Sequence, residues 1–209
     1  MTALLGADTL VVSQKAKLVE LTNQYEIHDA EGATLGYVEQ EGQHRSRKVV
    51  RFVTALDQFL THRLSVYDAA HTKVLELTRP AKLIKSRLTV DDGHGRPVGE
   101  IVQQNVFGKI RFSLVGASGD DVGEIRAENW RAWDFSIVDR DGTEIGRIDK
   151  RFVGVMKAVF TTADNYVVSL DPRLDGDIRL LVIAAAAAVD TALKQDPRGI
   201  DITDLADFT

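Results

Sequence analysis

The stretch FSIVDRDGTEIGRI at residues 135–148 contains the pattern that decides the fold. Apolar and polar residues alternate on both sides of an Asp-Arg-Asp-Gly tip at residues 139–142. Alternation with period two half-buries a β-strand, and Asp and Gly favour a turn because Gly adopts positive φ without strain. The stretch therefore predicts a β-hairpin. A second glycine, Gly146, lies inside the return strand, where it indicates either a bulge or bend, or the close approach of another backbone.

The same frame recurs along the chain. Copies occupy residues 25–38, 88–101 and 112–125, and a degenerate copy with His71 at the turn occupies residues 64–77. Five hairpins supply about ten strands, and residues 9–12 and 165–170 are candidates for more. Since no helix separates the copies, they predict an antiparallel meander, and a sheet with so many strands tends to curl or close.

The segment DIRLLVIAAAAAVDTALKQ at residues 177–195 differs from the hairpins and predicts a helix. Alanines and straight-chain residues favour helix, Asp177 suits the first turn, and Pro197 follows the end. Residues 180–189 offer no polar face, so we expect a buried helix. This run of ten residues is about 15 Å of helix, whereas a bilayer core of ~30 Å requires about twenty residues. Arg179 is expected to pair with a carboxylate or with carbonyls at the barrel end.

The predicted fold class is all-β with one buried helix. We expect a closed antiparallel barrel of about 12 strands around a central hydrophobic C-terminal helix. The chain is predicted to form a single domain over residues 1–209, with an ordered core at about 9–195 and loose termini at 1–8 and 197–209.

Composition narrows the classes of function. The net charge is −5, so bulk charge gives no general affinity for nucleic acid or an anionic membrane, and any such affinity requires a local basic patch. The N-terminus lacks the features of a signal peptide, which predicts a cytoplasmic protein. We find no catalytic motif, and the five histidines show no metal-ligand spacing. The sequence therefore predicts a protein that is not an enzyme.

The string TADNYVVSLDPRLD at residues 162–175 runs straight into the apolar helix and resembles the C-terminal signature of phospholipid scramblases. Further strings similar to that family are LTRP at 77–80, PVGEIVQQ at 97–104, and VGEI at 122–125 followed by Trp130. The resemblance covers about residues 9–195 and implies the tubby-like fold, which LURP-one-related proteins share. Family members that act on membranes often carry a cysteine cluster for lipid attachment; this chain has no cysteine, which excludes that route.

The resemblance also implies a calcium site within residues 164–175, with Asp164, Asp171 and Asp175 as the candidate ligands. The spacing departs from that of an EF-hand loop, because Tyr166 and Val168 stand where oxygen ligands are needed. The alternative is a core strand followed by a turn. Calcium is the one cofactor that the sequence suggests.

Two basic clusters are the candidate sites for lipid or phosphate, since tubby-like domains bind phosphoinositide headgroups with surface Lys and Arg. Their residues are Arg45, Arg47, Lys48 and Arg51 in the first cluster, and Lys82, Lys85 and Arg87 in the second. Such side chains form charge-assisted hydrogen bonds with phosphate. The alternative is a solvated loop or a charged edge strand that prevents aggregation.

We therefore predict a non-catalytic binding or interaction module that recognises anionic phospholipid headgroups at a membrane surface, peripheral at the inner face of the plasma membrane, or that binds a protein partner. The first alternative is a calcium-dependent phospholipid scramblase. The second is a nucleic-acid-binding or regulatory tubby-like protein, against which the acidic net charge argues.

Overall fold

In a computed structural model the described part of the chain forms a barrel of twelve strands and contains one long helix. The structure describes residues 2–14, 23–41, 62–80, 87–104, 111–129, 134–149 and 165–194. Within these residues the helices are α1 (Ala3–Gly6) and α2 (Gly176–Lys194). The strands are β1 (Thr9–Gln14), β2 (Asn23–His28), β3 (Thr34–Glu41), β4 (His62–Asp68), β5 (Lys73–Arg79), β6 (Arg87–Asp92), β7 (Pro97–Gln103), β8 (Arg111–Gly116), β9 (Asp121–Asn129), β10 (Asp134–Asp139), β11 (Glu144–Asp149) and β12 (Asn165–Leu170).

The strands close into a complete ring. Each strand pairs antiparallel with the next one along the chain, and β1 closes the barrel by pairing with β12, where Leu10 lies opposite Val168. Closure removes the exposed strand edges on which other chains could add. The predicted fold class, a closed antiparallel barrel of twelve strands with one C-terminal helix, is confirmed.

One turn geometry repeats at the hairpin tips. In the β10–β11 turn, Asp139 Oδ1 accepts the backbone N–H groups of Asp141 and Thr143 at 2.9 and 2.8 Å, and the Gly142 N–H donates to the Asp139 carbonyl at 3.0 Å. Asp29, Asp68 and Asp92 accept the corresponding bonds in their own turns. In the β8–β9 turn Gly116 replaces the aspartate and keeps only the backbone bonds. The repeated Asp-x-x-Gly frame is thus a repeated hydrogen-bond pattern.

The degenerate copy keeps this turn without its glycine. His71 takes the position of the turn glycine with a φ of 58°, in the left-handed region that few side chains adopt. Its ring stacks on that of Tyr37, with 4.8 Å between centroids and 6° between planes, and meets Tyr67 at 6.1 Å. Stacking of this kind contributes about 0.5–1.5 kcal/mol, which offsets part of the backbone strain.

The second glycine of the repeat marks a close approach between neighbouring strands. A Cβ added at Gly99 in β7 would overlap the carbonyl oxygen of Val115 in β8, and one at Gly123 in β9 would overlap that of Val138 in β10. Both interpretations that the sequence allowed hold at these positions, because the strand register also shifts by one residue beside each glycine, between Val90 and Asp91 opposite Gly99 and between Leu114 and Val115 opposite Gly123.

The helix α2 lies inside the core. Residues 181–186 are all buried, and since successive helical residues point about 100° apart, six of them cover the whole circumference. Their neighbours are the inward side chains of the strands, including Ile101, Leu114 and Phe135. Tyr166 Oη in β12 donates to the Ala186 carbonyl at 3.2 Å across this interior. The central hydrophobic helix was predicted correctly.

Arg179 ties the start of the helix to the N-terminal segment. Its Nε donates to the Leu5 carbonyl at 2.6 Å, its second terminal nitrogen donates to the Ala7 carbonyl at 2.7 Å and to Asp8 Oδ1 at 3.0 Å, and its side chain is only 4% exposed. The predicted pairing of Arg179 with a carboxylate and barrel-end carbonyls is confirmed. These bonds and the full burial of Leu4 attach residues 2–8 to the barrel, while the predicted looseness of the termini remains a prediction. Residues 197–209 lie outside the described residues.

The meander gives the barrel two different ends. The five hairpin turns and the segment 171–177, which leads from β12 into α2, lie at one end, here called the turn end. The strand ends at the opposite end, here called the connection end, are joined by the segments 15–22, 42–61, 81–86, 105–110, 130–133 and 150–164.

We expect Gly99→Ala to destabilise the barrel by roughly 1–3 kcal/mol, because its Cβ would force β7 and β8 apart. Urea unfolding followed by circular dichroism measures this loss. Gly6→Ala is the matched control, since a Cβ there meets nothing within 4 Å. Equal unfolding midpoints for the two variants would contradict the close-approach interpretation.

Candidate functional site

The turn end is strongly acidic. Its five turns, at residues 29–33, 68–72, 92–96, 116–120 and 139–143, and the segment 171–177 together carry ten Asp and Glu against three Arg, a formal net charge of −7. Four of the ten are the turn aspartates, whose carboxylates accept backbone N–H groups. These bonds fix the turn but leave the charge in place. This end therefore repels anions.

Arg96 joins the β6–β7 turn to the start of α2. Its terminal nitrogens donate to both carboxylate oxygens of Asp177 at 3.0 and 2.8 Å, and its Nε donates to Asp92 Oδ2 at 2.9 Å. The Arg96 side chain holds the pKa of Asp177 below its ordinary value. The backbone N–H of Arg96 is the main cause that lowers the pKa of Asp92, and the N–H of His94 contributes. The helix start is thus locked to a hairpin by ionised partners.

The predicted calcium ligands do not gather in the described structure. Asp171 accepts the Arg173 backbone N–H at 2.8 Å and its guanidinium at 3.0 and 2.6 Å, which lowers the pKa of Asp171 to about 2. Asp175 is exposed, and Asp164 lies outside the described residues. Within the part of the chain that is described, no three His, Asp or Glu side chains are grouped so as to hold a metal ion. Because Asp164 lies outside the described residues, the predicted ligand set remains a prediction.

The connection end has the opposite composition. The six segments that join its strand ends contain 13 Lys and Arg against 3 Asp and Glu, although the whole chain has more acidic than basic residues. Both tryptophans and five of the eight phenylalanines belong to the same segments. The chain therefore concentrates basic and aromatic residues in the connections of one barrel end.

The two predicted basic clusters belong to chain segments that connect neighbouring strands. The first segment follows β3 at Glu41 and precedes β4 at His62, and the second follows β5 at Arg79 and precedes β6 at Arg87. Since β3, β4, β5 and β6 are consecutive in the barrel, four adjacent strand ends bracket both clusters. The predicted residues that lie outside the described part are Arg45, Arg47, Lys48, Arg51, Lys82 and Lys85.

Arg87 is the one predicted basic residue with a described side chain. It is 57% exposed and lies 3.3 Å from Glu100 of β7. Sequence reasoning missed two further arginines in the same structural position, Arg63 at the start of β4 and Arg111 at the start of β8. The signal that could have found them is the interval of 24 residues between each and Arg87.

Neither helix described has both the length and the apolar character that crossing a bilayer requires.

Comparisons with known proteins agree with the resemblance seen in residues 162–175. A model of the Scramblase family matches residues 1–193. A phospholipid scramblase family protein of Schizosaccharomyces pombe is 26% identical over 182 residues, which are 78% of this chain and 46% of that protein. The protein named altered inheritance rate of mitochondria protein 25 of Saccharomyces cerevisiae is 24% identical over 203 residues, 82% of this chain and 61% of that protein. The chain thus spans about half the length of these relatives.

A solved structure shares the architecture. An X-ray structure of an Arabidopsis thaliana protein superposes with a TM-score of 0.52 and 11% identity, covering 89% of this chain and 94% of that one. At this identity the similarity concerns the fold alone, and it agrees with the predicted tubby-like barrel.

We expect calcium to bind wild type no more tightly than a dissociation constant on the order of 10⁻³ M, because Arg173 already occupies Asp171. Isothermal titration of calcium into the full chain measures this. Arg173→Gln frees the carboxylate and should tighten the binding, if Asp171 is a ligand. A micromolar constant for wild type would overturn the expectation.

The Arg96–Asp177 lock should make stability depend on pH in the acid range. Asp177 has a lower pKa in the folded chain than its ordinary 3.8, so its stabilisation is complete above about pH 4 and is lost as the pH falls through the folded value. We expect Asp177→Asn to have a lower urea midpoint at neutral pH and a shallower decline below about pH 4. Asp141→Asn, which removes an exposed turn carboxylate, is the control and should follow wild type. Parallel declines for all three proteins would contradict the role of Asp177.

Proposed function

The chain belongs to the Scramblase family, and we propose that it is a non-catalytic module that binds anionic phospholipid headgroups at a membrane surface. The observation that carries the proposal is the separation of charge between the two ends of the barrel. The turn end has a formal net charge of −7, and the segments joined at the connection end carry 13 basic against 3 acidic residues.

This separation resolves the conflict between an acidic chain and an anionic ligand. A chain with a net charge of −5 is repelled by an anionic surface when its charge is spread evenly. When the charges are separated in this way, the connection end attracts an anionic membrane surface. Repulsion between that surface and the acidic turn end favours the orientation in which the turn end faces away from the membrane. Each Lys or Arg near an anionic bilayer contributes about 1 kcal/mol, so a cluster of four to six suffices for salt-sensitive binding.

The aromatic residues of the connections support a bilayer over a soluble polyanion. Trp and other aromatic side chains favour the headgroup region, where their apolar rings and polar edges are both accommodated. Trp130 and Trp133 belong to the connection between β9 and β10, and Phe52 and Phe59 to the connection between β3 and β4. The proposal therefore places a mixed basic and aromatic surface against lipid. Since the cytoplasmic leaflet is rich in anionic lipid, we expect the protein at the inner face of the plasma membrane.

Calcium-dependent lipid translocation is the second candidate, and it is favoured by the name of the Schizosaccharomyces pombe relative, a phospholipid scramblase family protein. The described structure offers it less support. The apolar helix α2 is enclosed by the barrel, and Arg179 and Asp177 fasten its start to other elements. Translocation that used this helix would have to break these bonds and open the core.

Co-sedimentation with vesicles tests the proposed function. We expect wild type to bind vesicles that contain phosphatidylserine, to bind phosphatidylcholine vesicles poorly, and to dissociate as salt is raised. Arg45→Glu/Lys48→Glu should weaken binding by at least about 30-fold, at about fivefold for each charge removed. The matched control is Arg140→Glu/Arg173→Glu, which changes the net charge equally at the turn end and should bind like wild type.

Several outcomes would count against the proposal. Absence of binding to phosphatidylserine vesicles would remove the lipid surface and leave a protein partner to be sought. Equal losses in both double variants would attribute binding to net charge alone. Salt-dependent retardation of a nucleic acid probe without vesicle binding would favour the nucleic-acid alternative, and lipid transfer in reconstituted vesicles would favour translocation.

A further inference from the structure

Three arginines occupy the same position in successive repeats. Arg63, Arg87 and Arg111 lie 24 residues apart and stand in the first or second position of β4, β6 and β8. All three residues are exposed. Their neighbours Leu64, Leu88 and Phe112 are buried in the core, so alternation along each strand directs the arginines outward. They therefore lie on the outer wall at the connection end.

The strand register arranges these arginines along the rim. Arg63 pairs with Thr78 of β5, and Thr78 pairs with Thr89 of β6. Arg87 lies two residues before Thr89 in the same strand. In the same way Arg87 pairs with Val102 of β7, and Val102 pairs with Ser113 of β8. Arg111 lies two residues before Ser113 in that strand.

A shift of two residues per two strands follows the tilt of strands in a barrel, so the three positions stay at one height around the rim. Two strand spacings and two residue rises place neighbouring positions about 12 Å apart. The arginines thus form one continuous row.

The described ion pair of Arg87 does not favour a purely structural role for this residue. Arg87 approaches Glu100 at 3.3 Å, but such an exposed pair contributes at most about 1 kcal/mol. A closed barrel also has no edge strand for these charges to protect, so the interpretation as an aggregation guard does not apply.

We propose that Arg63, Arg87 and Arg111, here called the rim arginines, form a binding surface for the phosphate groups of anionic phospholipids. The inference rests on the proposed function and adds residues with described geometry to it. A guanidinium binds phosphate through two parallel hydrogen bonds, which an ammonium does not offer. The row runs from β4 to β8, and the two basic clusters belong to the stretch of sequence between β3 and β6.

Vesicle binding by Arg63→Gln/Arg111→Gln tests the inference, because neither residue belongs to the predicted clusters. We expect the double variant to bind phosphatidylserine vesicles about 30-fold more weakly than wild type, at about fivefold for each charge. Arg140→Gln/Arg173→Gln removes two charges at the turn end and should stay within about twofold of wild type. Circular dichroism and urea unfolding verify that the double variant is folded. If it is not, the single variants Arg63→Gln and Arg111→Gln replace it, and each is expected to bind the vesicles about fivefold more weakly than wild type.

Inorganic phosphate at matched ionic strength separates the two sources of the ligand. Titration of inorganic phosphate into the protein without vesicles measures binding of soluble phosphate, and it is compared with vesicle binding by the same variants. If the rim arginines bind lipid in a bilayer, Arg63→Gln/Arg111→Gln should lose vesicle binding. Phosphate binding by wild type that Arg63→Gln/Arg111→Gln abolishes, together with unchanged vesicle binding by that variant, would assign the row to a soluble phosphate and overturn the lipid assignment.

The remaining outcomes distinguish this inference from the proposed function. Binding by wild type with equal, small losses in both double variants would overturn the role of the rim arginines and leave the proposed function intact. Absence of binding by wild type would overturn both. A loss confined to Arg63→Gln/Arg111→Gln, with the fold retained, supports both.

Discussion

The rest of the structure depends on one constraint, the enclosure of a helix that has no polar face. Residues 181–186 of α2 are buried on every side, so the helix requires a wall around its whole circumference. Twelve antiparallel strands supply that wall only when β1 pairs with β12. A closed meander in turn alternates its turns between two ends. Enclosing the helix therefore also sorts the connections of the chain into two separate groups, which is the basis of the charge separation.

The hydrogen-bond chemistry of the turns explains why one group is acidic. Each Asp-x-x-Gly turn uses a carboxylate to accept two backbone N–H groups, so the repeat brings negative charge to the turn end for structural reasons. Two arginines hold the start of the helix at the same end, where Arg96 forms an ion pair with Asp177 and Arg179 forms one with Asp8. The opposite end is free of this requirement and carries the basic segments. Polarity along the barrel axis is thus partly a consequence of how the hairpins are built.

The features that could be predicted from the sequence are those with a local cause. The hairpins follow from alternation and the turn frame, and the helix follows from its alanine-rich, charge-free run. The hydrogen bonds between residues 2–8 and the start of α2 could not be predicted, because they depend on Arg179, which is more than 170 residues away along the chain. Arg63 and Arg111 could not be predicted from runs of basic residues, because each is isolated in the sequence. The 24-residue repeat places them at equivalent positions of successive hairpins, and only the barrel brings these positions next to each other. The pairing of Asp171 with Arg173 could not be predicted from the calcium-site resemblance, because it depends on the conformation of the turn after β12.

Binding and translocation make opposite demands on this architecture. A surface formed at the connection end leaves untouched the bonds that Arg179 and Asp177 make, since these lie at the turn end. An intact barrel is therefore compatible with repeated, reversible attachment to anionic lipid. Inserting α2 into a bilayer would break those bonds and expose the inward faces of the strands to water. The geometry thus favours the proposed binding to a membrane surface over insertion of α2.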